Sequence, residues 1–191
     1  MNRISGIRNI HICKKVSEGE YDTEVVRMRG AKSLSVKDNK SQITFYSDNV
    51  ADYNQSKTSS KEIEIEMAYL PIDVVATLTG KQIVEGGLVS TADDLQNPVA
   101  LMYELTTLEG KSQYHVLYNV KLDIDGSEAK TMEESIDEQN VKLVGTAIVD
   151  EQGLFDYMID ANYPPKEEED LRKFNAKITN WFNAVQMPVS E

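Results

Sequence analysis

Residues 59–80, SSKEIEIEMAYLPIDVVATLTG, change hydrophobic period halfway along. Up to Tyr69, isoleucine and glutamate alternate, which places Ile63, Ile65 and Met67 on one face of a strand and Glu62, Glu64 and Glu66 on the other. After Pro71 the apolar residues Ile72, Val74, Val75 and Leu78 fall at helical spacing, with proline in the first turn and Gly80 as a C-terminal stop. Period two recurs along the chain. AKSLSVK alternates Leu34 and Val36 with serines, and SQITFYS alternates Ile43 and Phe45 with Thr44 and Tyr46. VALMYELT begins at Val99, VKLVGTAIV at Val141 and LFDYMI at Leu154. The longest run, QYHVLYNVKLDI from Gln113, puts Tyr114, Val116, Tyr118, Val120, Leu122 and Ile124 on one face. Turn signals separate these runs: Glu85-Gly86-Gly87, Glu109-Gly110-Lys111, Asp125-Gly126-Ser127 and Glu151-Gln152-Gly153. Many short strands without βαβ spacing predict a mainly β fold, an antiparallel β-sandwich or partly open barrel, with a short flanking helix.

A C-terminal helix is predicted from Pro165 to about 187. Acids 167–170 occupy its first turn, where the helix dipole favours them. Glu168 with Arg172, and Glu169 with Lys173, stand four apart and can pair. Leu171, Phe174, Ile178, Trp181 and Val185 form an apolar stripe that has to dock, on this chain's own sheet or on a neighbour. Between two strands, SDNVADYNQSKTSSK (residues 47–61) is the longest irregular polar stretch. A loop of that length in a compact domain implies either a function, such as an extended hairpin arm, or disorder.

Three glutamates on one strand face repel one another, so they need water, cationic partners or a purpose. Across all 191 residues the net charge is −12, which disfavours holding nucleic acid by charge attraction. Seven acids and one lysine fall within residues 123–139. Such a run is a solvated edge that resists sheet-to-sheet aggregation, or part of a surface facing something anionic. The single cysteine, Cys13, excludes an internal disulfide and reads as a small buried hydrophobe in a reducing compartment. No apolar run suits a signal peptide or a bilayer span, so no membrane partner is expected.

Enzymatic signals fail one by one. EGKS at residues 109–112 ends like a phosphate-binding loop, but Leu105 stands where its first glycine belongs. DIDGSE at residues 123–128 is like the start of a calcium loop, yet Glu128 occupies the position of the bend glycine, and a solvated turn is the stronger reading. His11 and His115 are the only histidines, too few with Cys13 to close a zinc site. The carboxylates sit in charged runs instead of singly in apolar pockets, so no catalytic residue, cofactor or metal is assigned.

The order of features resembles the major tail protein, or tail tube protein, family of long non-contractile phage tails. The resemblance is carried by GIRNIHICKK near the start, RGAKSLSVK leading into ITFYSDN and the long polar stretch, and EIEIEMAYLPIDVVATLTGK with its strand, Leu-Pro turn and short helix. EGGLVSTADDLQNPVALMYE, AKTMEESIDEQNVKLVGTAI and the terminal NWFNAV complete it. It covers almost the whole chain, and order and spacing carry it, since each motif alone is a strand or a turn.

The resemblance implies one tail tube domain over residues 1–191 that closes with five copies of itself into rings, which stack into a tube through hairpins and arms. Implied partners are other copies, the tape-measure protein, tail terminator and tail-tip proteins, with DNA passing through unbound. The implied location is the virion tail, after assembly in the host cytoplasm. On this reading Glu62, Glu64 and Glu66 line the lumen as a repulsive coating; the alternatives are the outer wall or a face covered by a neighbouring ring. Ser47, Asp48, Asn49, Asp52, Tyr53, Asn54, Lys57 and Lys61 become the inter-subunit arm. The rival reading is a monomeric β-sandwich binding module, for example for carbohydrate, with Tyr46 and Tyr53 as its only plausible aromatic platform.

Overall fold

A computed structural model of the chain describes residues 3–47, 50–125 and 140–188, with residues 43–54 described by backbone alone. The elements run β1 (Ile4–Ser17), β2 (Glu20–Met28), β3 (Ala31–Ser47), β4 (Val50–Met67), α1 (Ile72–Thr79), β5 (Gln82–Val84), β6 (Gly87–Val89), β7 (Val99–Thr107), β8 (Ser112–Ile124), β9 (Val141–Ala147), β10 (Asp156–Asp160) and α2 (Glu168–Thr179). Eight strands form an antiparallel sheet in the order β2-β1-β7-β8-β9-β4-β3, with β10 also on β8, and β5 pairs with β6 apart from it. One edge of β8 pairs with β7. Its other edge is shared, with β10 opposite residues 113–117 and β9 opposite residues 120–124. The sheet thereby divides into two layers: β2, β1, β7, early β8 and β10, then late β8, β9, β4 and β3. Ile10, Ile12, Leu101 and Tyr103 of the first layer and Ile63, Ile65, Met67 and Leu143 of the second share one buried cluster, the core of a β-sandwich.

Helix α1 seals this core with Val74 and Leu78, both fully buried. Gly80 ends it in the left-handed region (φ 73°), and its N–H donates to Ala76 O at 3.0 Å. The expected strand-to-helix change across Pro71 is therefore present, with Ile63, Ile65 and Met67 inward and Glu62 and Glu64 exposed.

The uniform face expected for β8 is not. Its pairing with β7 steps from Leu101↔Leu117 to Val99↔Val120, two residues against three, and the extra residue, Asn119, has φ 47°. Asparagine enters this region more readily than most side chains. Such a bulge inverts the inward–outward alternation. Tyr114, Val116 and Tyr118 consequently face one core, and Val120, Leu122 and Ile124 the other. Asn9 (φ 52°) makes the same correction in β1, between Arg8↔Glu104 and His11↔Met102.

The second core lies on the outer face of the first layer, where Cys13, Ala100, Met102, Val116, Tyr118 and Ile159 meet Trp181. Helix α2 docks on its own chain here, with Phe174 and Ile178 packed at the margin. It stops at Thr179, short of the expected 187, because Asn180 caps it: the Asn180 N–H and Nδ2 both donate to Ala176 O. Trp181 and Val185 reach the core from the irregular segment that follows. Tyr118 Oη anchors that segment by donating to Gln186 O at 2.6 Å. Both expected pairs form, Arg172–Glu168 at 3.7 Å and Lys173–Glu169 at 2.8 Å, on the solvent side, where such pairs contribute little.

The polar stretch 47–61 is not an irregular loop. Outside Asp48 and Asn49, which fall outside the described residues, it is strand, because β3 and β4 form one hairpin in register from Ala31↔Met67 to Ser47↔Val50. The hairpin runs on through residues 38–40, where its register shifts between Asn39 and Lys40. Strand β2, EYDTEVVRM, carries no clean period-two signal, since charges interrupt its alternation.

Gly145 in β9 is set by close approach. A Cβ there would lie 2.2 Å from Lys121 O and 2.7 Å from Leu122 Cδ2. Gly145→Ala is expected to lower stability by about 1–3 kcal/mol through forced separation of β8 and β9. Denaturant unfolding checks it, and an unchanged midpoint would refute the packing described.

Candidate functional site

The outer face of the second layer carries the three glutamates. On β4, Glu62, Glu64 and Glu66 stand opposite Lys37, Ser35 and Ser33 of β3, and opposite Thr146, Val144 and Lys142 of β9. Lys121 and Asp123 of β8 extend the face past Thr146 and Val144. Each glutamate has a partner: Asn39 Nδ2 donates to Glu62 at 3.0 Å, Lys142 Nζ lies 3.0 Å from Glu64, and Ser33 Oγ donates to Glu66 at 3.2 Å. The glutamate bonded to it, and carboxylates nearby, raise the Lys142 pKa. Together with Asp125, five carboxylates share this face with three lysines. It is a hydrated, net-acidic surface whose repulsion is partly relieved within the sheet.

The hairpin of β3 and β4 leaves the body where β9 ends. The last pairing of β4 to β9 is Lys61↔Ala147, and from Ser60 outward β4 is paired only with β3 among the described residues. Lys61 ties down its root, with Nζ 3.0 Å from Asp38 and 3.1 Å from Asp156 of β10. Burial lowers its pKa, and the two carboxylates outweigh that and leave it raised. Among the arm candidates, Lys57 pairs opposite Ser41. Ser47, Asp52, Tyr53 and Asn54 are known by backbone, and Asp48 and Asn49 fall outside the described residues. Most of the acidic run at residues 123–139 also falls outside them. Tyr46, half of the aromatic platform considered for a binding module, is likewise known by backbone alone.

A polar cluster that the sequence reading missed sits at the far end of the first layer. Glu104 is 2% exposed, yet Arg8 Nη2 donates to it at 2.6 Å and Asn9 Nδ2 at 2.7 Å. Arg27 in turn donates to Asn9 Oδ1 at 2.9 Å. Burial pushes the Glu104 pKa up, but hydrogen bonds from Arg8, Ser112 and Asn9 outweigh it and hold the carboxyl below its ordinary value. The signal was present, since Glu104 is the one carboxylate inside an otherwise apolar strand.

Burial shifts the pKa of the single cysteine and of both histidines. Cys13 is buried, its Sγ–H donates to Asp22 O at 3.1 Å, and burial pushes its pKa to about 11. A thiol in that state is a poor nucleophile. Burial lowers both histidine pKa values; His11 stacks on Phe182 at 4.6 Å and His115 on Tyr103 at 4.8 Å. Among the described residues, no group of three or more His, Cys, Asp or Glu is arranged to hold a metal ion.

Compared with known proteins, residues 18–183 match the family model described as phage tail tube protein. No curated protein matches the chain.

The buried groups set the response to acid. Lowered histidine pKa values mean that the unfolded chain binds protons first, so stability falls as pH drops below 6.5. The lowered Glu104 pKa adds stability that is complete above 4.5 and is lost as pH falls through the folded value. Glu104→Gln is expected to cost about 1–3 kcal/mol at neutral pH and to shrink the lower step, to which Asp160 also contributes, without moving the upper one. Thermal melts across this range test it, and an unchanged lower step would rule out Glu104 as its source.

Proposed function

The chain belongs to the phage tail tube protein family, and from that membership we propose that it closes into six-membered rings that stack into the tube of a long non-contractile tail. The family makes it a structural component of the virion tail that assembles with copies of itself into a tube. In the proposed arrangement the Glu62, Glu64 and Glu66 face lines the lumen, through which DNA leaves without being held. The tape-measure protein fills that lumen beforehand, terminator and tip proteins cap its ends, and assembly takes place in the host cytoplasm.

One observation carries the lumen reading: the two sandwich layers differ in what covers them. The outer face of the first layer is apolar and lies under α2 and the Trp181 segment. The outer face of the second layer is polar, with Glu62 and Glu64 exposed. A subunit of a tube wall needs this asymmetry, a finished outside and a wet inside. Duplex DNA carries one negative charge per about 1.7 Å of axis, and a wall of free cations would retain it through counterion release. On this face carboxylates outnumber lysines, and Lys142 is already held by Glu64. The β3–β4 hairpin supplies the arm, and burying its edges against other copies removes the exposed backbone that would otherwise invite aggregation.

Glu64→Cys tests the lumen assignment, with buried Cys13 silent. In assembled tubes a small maleimide is expected to label residue 64, while a maleimide on a bulky polymer labels it only near tube ends. Equal labelling by both reagents along the tube would place this face on the outer wall and sink the assignment. Labelling by neither would put it under a neighbouring ring.

A further inference from the structure

At the root of the β3–β4 hairpin, three strands present charged residues at inward positions. Ile63, Ile65 and Met67 form the inward face of β4, and Lys61 is the next inward position toward the hairpin tip. On β3 the same face runs through Leu34 and Val36 to Asp38, which pairs opposite Lys61. Strand β10 belongs to the first layer. Its Tyr157 and Ile159 turn to the outer core, which leaves Asp156 and Asp160 on the side toward the second layer. Lys61 Nζ lies 3.0 Å from Asp38 and 3.1 Å from Asp156, so one ammonium joins both strands of the hairpin to the opposite layer. The Lys61 side chain is 15% exposed, which limits screening by salt. Asp160 is taken by Gln113 Nε2 at 2.7 Å and by Asn162, which leaves Asp156 to Lys61. His115 also adjoins Lys61, but burial holds its pKa low, so at neutral pH it adds no charge.

Directly beyond Lys61 the hairpin changes register. Pairing steps from Asn39↔Ser60 to Lys40↔Thr58, which leaves Ser59 as an extra residue on β4. Such a bulge bends a strand and increases its twist. The side-chain bonds at this point, Ser59 Oγ to Asn39 O at 3.0 Å and Asn39 Nδ2 to Ser60 Oγ at 3.3 Å, stay within the hairpin and do not set its angle to the body. Farther out, β3 and β4 have only each other among the described residues, and a lone two-stranded hairpin is marginal by itself.

We propose that Lys61 is a latch that fixes the direction in which the β3–β4 hairpin leaves the sandwich, with the bulge at Ser59 as the hinge on which the hairpin swings once the latch is broken. Its bearing on assembly rests on the reading of this hairpin as the arm of a tube subunit. Lys61 then serves to hold the arm and not to touch a neighbour. An arm already set in one direction loses less freedom on docking against a second copy, so the latch favours assembly by preorganisation.

The test reads arm direction in the full chain before assembly, as the distance between spin labels on Lys57→Cys, in the hairpin, and Lys111→Cys, in the turn between β7 and β8, with buried Cys13 unlabelled. A narrow distribution of distances is expected, which Lys61→Met and Asp156→Asn each widen and shift. Combining the two is expected to widen it no further, because both remove one contact. Lys142→Met, which removes the Glu64 ion pair away from the hinge, is expected to leave it unchanged. A wide distribution in the parent protein, a narrow one in both latch variants, or equal widening by Lys142→Met overturns the latch. Should Lys61→Met melt early, Asp156→Asn, which leaves Lys61 paired with Asp38, decides alone. Under the electron microscope the latch variants are expected to form tubes only at higher protein concentration than the parent, and tubes at the parent's concentration overturn the role in assembly. Parent protein that forms no tube at any concentration overturns the tube reading, while the distances still decide the latch.

Discussion

Strand β8 holds hydrogen-bond partners from both layers of the sandwich, and side chains along a regular strand alternate between two faces only. A strand passing from one layer into the other has to change which face is inward, or one core loses its apolar residues. The left-handed Asn119 makes that change, and its side chain satisfies the carbonyl of Val149 in the loop that follows β9. Tyr118 on one side of the bulge then packs against Trp181, and Val120 on the other side against the inter-layer core. Asn9 serves β1 similarly, and its side chain also joins the Arg8–Glu104 cluster. The polar cluster and the double core are thus products of the same backbone correction.

From the double core follows the asymmetry that bears on function. Apolar residues pointing outward from the first layer require a cover, which the C-terminal segment supplies through Trp181 and Phe182 more than through α2, none of whose residues is fully buried. No such demand arises on the second layer, where alternation leaves glutamates, serines and lysines outward. One wall of the sandwich is closed and the other is wet, and a tube subunit has use for both.

An acidic chain that associates with itself must find local exceptions to its own repulsion. The glutamate face does so within the monomer, through Lys142, Asn39 and Ser33. At the root of the hairpin, Lys61 does so between two carboxylates from different strands. Such contacts screen with salt when exposed.

Local pattern determined a good deal by itself. The EIEIEM strand, its inward isoleucines and outward glutamates, the Pro71 entry and Gly80 exit of α1 and the antiparallel class all follow from nearest-neighbour periodicity and turn chemistry. The acidic half of the candidate site was legible for the same reason, because alternation assigns a face without knowledge of the partner strand. What required the tertiary structure was anything depending on which strand lies alongside. The parity reversal at Asn119 exists because β8 must pair with both β10 and β9. The described part of the polar stretch 47–61 becomes strand because most of its residues find a partner across the hairpin, an energy invisible to hydropathy. Glu104 is tolerable in its apolar strand only because Arg8 and Asn9, nearly a hundred residues earlier, are folded against it. Periodicity reports the side of a strand on which a residue stands, and long-range pairing decides what it meets there.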